Sequence, residues 1–101
     1  VTPVRWTAQA QADLEAIRAY IERDSPHYAR LMVERLVGAV ERLQQFPDSG
    51  RMVPEHQNPV LREVLEGNYR IVYRRLPAEV QVLTVTHGAR LLRLPEPPPE
   101  R

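Results

Sequence analysis

Tyr69-Arg70-Ile71-Val72-Tyr73-Arg74 is the stretch on which the fold turns. Aromatic and β-branched residues dominate it, and the turn-forming groups Gly67-Asn68 and Pro77-Ala78-Glu79 bound it, so it reads as a strand. Alternation sends Tyr69, Ile71 and Tyr73 to one face and Arg70, Val72 and Arg74 to the other. Burying two unpaired guanidiniums would cost several kcal/mol each. The tyrosine–isoleucine face is therefore expected to meet the core, and the arginine face to look outward. Arg62, carried by the preceding strand, is expected to share that outward face.

Outward from this strand, residues 61–66 and 80–87 have the same character, and the separators are turn-sized. The three strands are expected to form an antiparallel meander. Upstream, Ala10, Leu14, Ile17 and Ile21 recur at helical spacing. Asp24-Ser25-Pro26 stops that helix and starts another, with Ser25 as N-cap and Pro26 in the first turn. Ala29, Val33, Leu36, Val40 and Leu43 line the second helix, which the spacing carries to about residue 45. So short a joint predicts an antiparallel helical hairpin. Val4-Arg5-Trp6 is a short strand candidate, and a proline-containing loop follows the breaker Phe46-Pro47-Asp48-Ser49-Gly50. Leu91-Leu92-Arg93-Leu94 is expected to cover a sheet edge, and the proline-rich residues 95–101 to form an extended tail beyond a single domain of residues 1–94.

The 101 residues suffice for one core, and 43% hydrophobic with 27% charged side chains is ordinary globular composition. There is no cysteine, which excludes disulfides and thiolate zinc sites, and no apolar run of membrane-spanning length. A cytoplasmic protein is the expectation. Residues 1–50 hold six Arg against seven acidic groups, whereas residues 60–94 hold six Arg against three Glu. The sheet half is thus mildly basic and suits an anionic partner. His27, His56 and His87 lack ligand spacing, so no metal is expected, and four glycines provide no phosphate-cradling loop, so no cofactor is expected.

In chain order the elements carry Asp13-Leu14 in an Ala-rich helix, Tyr20-Ile21, Phe46-Pro47 ahead of Gly50-Arg51, and Arg62-Glu63. The Tyr69–Arg74 run and Val85-Thr86-His87-Gly88-Ala89-Arg90 complete the series. That order over about residues 4–92 resembles the RelE/ParE superfamily of type II toxin–antitoxin toxins, and within it the ParE-like branch. The resemblance implies an α+β fold in which an N-terminal strand and an antiparallel helical hairpin pack with a twisted antiparallel sheet, in the order β-α-α-β-β-β. It also implies a growth-arresting toxin, of the kind associated with plasmid stabilisation. A small cognate antitoxin would neutralise it by laying an extended or helical segment over its surface.

Two chemistries follow from the resemblance. Toxins similar to RelE cleave mRNA on the ribosome, which needs a group to activate the ribose 2′-hydroxyl, cations for the phosphorane, and a proton donor. By motif, Arg70 matches the arginine of the central strand and Arg90 the arginine after the last strand. The family's lysine positions hold Leu61, Arg62 and Glu63, the chain has no Lys, and no Tyr follows Tyr73. A nuclease here would rest on Arg62, Arg70, His87 and Arg90, with His87 the acid or base. Toxins similar to ParE instead bind and poison DNA gyrase, which requires none of the missing groups. Arg62, Arg70, Arg74, His87 and Arg90 would then be a target- or antitoxin-binding surface. A third possibility is an antitoxin-binding module without toxicity. At the level of single residues, Arg62 and Arg70 are alternatively ion-pair partners of Glu63 or Glu66, and His87 a strand-ending residue.

Overall fold

Two helices begin where a hydroxyl receives one of their unpaired first-turn amides. Thr7 Oγ1 accepts from the Ala10 N–H at 3.2 Å and opens α1 (Ala8–Glu22). Ser25 Oγ accepts from the Tyr28 N–H at 3.1 Å and opens α2 (Pro26–Glu41), with Pro26 at its start. The computed structural model, which describes residues 1–89, adds β1 (Val4–Trp6), β2 (Arg51–Met52), β3 (Leu61–Glu66), β4 (Tyr69–Arg75) and β5 (Val80–His87). The second helix stops short of residue 45 because its last turn tightens into a 3-10 turn over Arg42–Gln44. Arg90, the expected edge cover at 91–94 and the tail at 95–101 lie outside the described residues.

The five strands form one sheet in the order β1-β5-β4-β3-β2. The pairs β3–β4 and β4–β5 are antiparallel, as the meander required. Gly67 and Asn68 form the two-residue connection of β3 to β4, and Gly67 has φ 58°. A positive φ at the first loop position alone is the type II′ hairpin geometry, which suits glycine. The sheet is not wholly antiparallel, however, because β1 joins β5 in parallel, with Val4 opposite Val80 and Trp6 opposite Val82. A strand that reaches its partner through intervening helices is not held to hairpin geometry.

One face of the sheet meets the helices. Ala10, Met32, Leu36, Ala39, Val40, Ile71, Val82 and Val85 form the main core there, with Trp6, Leu14, Ile17 and Ile21 packed around it. Leu43, Tyr73 and Val80 continue it toward the end of α2. The alternation therefore placed Tyr69, Ile71 and Tyr73 correctly. The opposite face is not a solvent face: Val53, from the segment after β2, packs with Leu61, Val72 and Leu83 there. No described helix is long and apolar enough to cross a membrane.

An irregularity in β5 couples the sheet to α1. Val72 lies opposite Thr84 and Tyr73 opposite Val82, so Leu83 is an extra residue in β5 and forms a β-bulge. Thr7 and Asp13 fasten the strand beside this bulge. The Thr7 N–H donates to Val82 O at 3.1 Å and its hydroxyl to the same oxygen at 2.8 Å. Asp13 Oδ2 accepts from the Val85 N–H at 3.1 Å and from the Thr84 hydroxyl. The first turns of α1 thus bind the part of β5 that extends past the end of β1.

Candidate functional site

Arg70 is the centre of the candidate site, and it is only 5% exposed. This overturns the expected outward-facing arginine: the guanidinium is buried because it is paired, and burial is prohibitive only for an unpaired charge. Its Nε donates to Glu63 Oε1 at 2.8 Å, and its terminal nitrogens donate to Glu55 Oε2 at 2.7 Å and Glu55 Oε1 at 2.9 Å. One terminal nitrogen also reaches Glu63 Oε1. Glu63 is 1% exposed and receives a further bond of 2.6 Å from Arg51 Nε. The fork of Arg70 thus meets two carboxylates, the arrangement in which charge-assisted bonds are strongest. Hydrogen bonding to Glu55, opposed by burial and reinforced by Glu63, pushes the already high pKa of Arg70 up.

Arg62 does not join this group. The two-residue hairpin puts it opposite Tyr73, hence on the helix-facing side, with Val64 and Glu66. Its expected place beside Arg70 is taken by Leu61, Glu63 and Leu65. One terminal nitrogen of Arg62 donates to Gly50 O at 3.0 Å, while its Nε is buried without a protein partner. Next to it, the Tyr73 hydroxyl donates to Pro47 O at 2.8 Å and accepts from the Gly50 N–H at 2.9 Å. A Cβ on Gly50 would lie 2.6 Å from that hydroxyl and 2.8 Å from Glu63 O, so the Phe46–Gly50 turn closes here only on glycine. Burial pushes the Tyr73 phenol up from the usual tyrosine range.

Arg74 lies on the Arg70 side of β4, half-buried and opposite Leu61. It is four residues from Arg70, roughly 13 Å along the strand. His87 is exposed at the end of β5, opposite Tyr69, and the two rings meet edge to face with centroids 5.8 Å apart. His87 Nδ1 is 3.2 Å from the Ala89 N–H, so the neutral ring carries its proton on Nε2. Burial, then the negative charge that Tyr28 and Tyr20 carry when ionised, raise the pKa of Tyr69.

Arg70 and His87 come together around a groove of about 450 Å³, which Arg51, Glu55, Leu65 and Tyr69 also line. Arg62 and Arg74 do not line it. Two charged residues of the groove were not among the expected site residues. Arg51 and Glu55 sit in the stretch expected to be irregular, and nothing in their spacing marks them as partners of β3 and β4. The hairpin carried a usable signal for Glu63, since counting back from Gly67-Asn68 places it opposite Val72, on the Arg70 side. Among the described residues no three His, Asp or Glu side chains gather as a metal would require. Chemically, the groove offers an exposed imidazole, an exposed Arg51, and an arginine already neutralised by carboxylates.

Residues 4–92 match the family described as ParE toxin of type II toxin-antitoxin system, parDE. Toxin RelE2 of Caulobacter vibrioides is 39% identical over 89 residues, covering 87% of this chain and 97% of that one. Among solved structures, a chain of the chromosomal ParDE toxin–antitoxin system from P. aeruginosa superposes with a TM-score of 0.69 at 28% identity, covering 85% of this chain and 95% of the other. A chain of the RelBE2 toxin–antitoxin complex from Mycobacterium tuberculosis shares the fold, with a TM-score of 0.62 at 22% identity over 85% of this chain and 96% of that one. With the strand–helix–helix–sheet order observed here, these matches fix the assignment: the chain belongs to the ParE toxin family of type II toxin–antitoxin systems.

Proposed function

We propose that this toxin acts by binding DNA gyrase, without cutting RNA, and that a cognate antitoxin binds and neutralises it. The observation that carries the choice of target is that Arg62 and Arg70 face opposite sides of the sheet. A phosphorane-stabilising site needs cations free to face a developing negative charge. Arg70 is already held by Glu55 and Glu63, and Arg62 lies on the other side of the sheet. The chain has no lysine to replace them, and no tyrosine after Tyr73. Gyrase binding makes no such demand on the site. The similarity to the ParDE system of P. aeruginosa supports the antitoxin partner.

One observation favours ribosome-dependent mRNA cleavage as the second reading: the similarity to a toxin named RelE2. Purified protein assayed for inhibition of gyrase supercoiling and for mRNA cleavage on translating ribosomes separates the two. Supercoiling inhibition without cleavage is expected. Cleavage by the wild-type chain that Arg90→Ala abolishes would overturn the gyrase reading in favour of the nuclease.

A further inference from the structure

The two carboxylates on Arg70 differ in kind. Glu63 belongs to the β3 ladder, is fully buried, and is braced from behind by Arg51. Glu55 comes from the loop between β2 and β3, and its side chain keeps 21% of its surface in water where the groove opens. It engages the two terminal nitrogens of the guanidinium, the edge that recognises carboxylates in bidentate fashion. With Glu55 withdrawn, the two terminal nitrogens that it engages would be available to another carboxylate.

We propose that the groove is a receptor for a carboxylate side chain of an extended peptide segment, and that Glu55 occupies the slot in the unbound chain. Leu65, at 53% exposure, together with Tyr69 and Pro54, provides apolar contact for residues flanking the acidic one. A polyanion fits less well. Phosphate backbones are held by many cations, and among the described residues the arginines lining the groove are Arg51 and Arg70, beside Glu55. Assigning the peptide to the antitoxin rests on the reading above, whereas the slot does not.

The test uses three probes: the capped peptide Leu-Glu-Leu, its Leu-Gln-Leu counterpart, and a hexauridylate RNA. Each is titrated into the wild-type chain and into Glu55→Gln, following the Arg70 Nε–H resonance by NMR. Removing the internal competitor should tighten the Glu peptide by about tenfold relative to wild type, the scale of one lost charge-assisted bond. In Glu55→Gln the Glu peptide should also bind about tenfold tighter than the Gln peptide, by the same arithmetic. Equal affinities for the two peptides, or no gain on Glu55→Gln, would overturn the proposal. RNA binding more tightly than the Glu peptide would overturn it in favour of a phosphate site. The comparison needs no Arg70 variant, whose folding is in question. Co-purification with the product of the adjoining reading frame tests the antitoxin reading separately. Peptide binding without such a partner would reject that reading alone and leave the slot standing.

Discussion

Burial holds the Tyr73 phenol neutral while its oxygen serves both Pro47 and Gly50, so one side chain ties the Phe46–Gly50 turn to β4. Tyr73→Phe strands the Gly50 amide, and a loss of about 1–3 kcal/mol is expected in urea unfolding near neutral pH. The pH dependence has a definite sign. The folded phenol titrates above the ordinary value near 10, so above that pH the unfolded chain sheds its proton first and stability falls. Tyr73→Phe should remove its share of this alkaline decline and leave that of Tyr69, which urea midpoints at about pH 8 and pH 10.5 would show. For Arg70→Ala, two carboxylates lose their shared partner, and a loss of about 3–5 kcal/mol is expected by the same measurement. At this scale the sequence was a fair guide to apolar side chains and a poor one to charged ones. Tyr69, Ile71 and Tyr73 point where alternation sends them. Arg70 does meet Glu63, one of the acids named for it, but also Glu55 from a loop, and no periodicity encodes that second meeting.

Asp13 shows how one element sets the shape of another. β5 runs past the end of β1, whose Trp6 lies opposite Val82, and α1 supplies an acceptor to the Val85 amide that β1 does not reach. Asp13→Ala should lower the thermal midpoint by an amount equivalent to about 1–3 kcal/mol and speed hydrogen exchange at Val85. Asp13→Asn, which keeps an acceptor oxygen, should lose less. Helices and hairpins were legible because their signals are local: the apolar stripes of α1 and α2, Ser25-Pro26, and Gly67-Asn68. The bulge too leaves a trace, since Val80 and Val82 are two apart while Val85 follows at three, yet all three are buried on the helix side. By contrast, β2 has only two residues, and the parallel pairing of β1 joins segments 76 positions apart. Neither carries a signal within a short window of sequence.

Across the whole molecule, charge balance decided less than arrangement. The arginine excess of residues 60–94 suggested an anionic surface partner, yet its central arginine is committed inside the protein. The strand order has a temporal side as well. β5 is the last described strand in the chain, yet it lies between β1 and β4. While a ribosome is still making residues 1–79, β1 has no partner and β4 presents a bare edge beside Ile71. Such edges invite pairing between chains. The helical hairpin and the β3–β4 hairpin, which are local, can form during that interval. In refolding, amides of α2 and of the β3–β4 ladder should gain protection before those joining β4 to β5, with the final step in milliseconds to seconds as non-local pairing dictates. Pulsed hydrogen exchange would report that order, and simultaneous protection of all strands would contradict it. A toxin built in this way is assembled only when its β5 arrives, so translation itself withholds the finished surface until nearly the whole described chain exists.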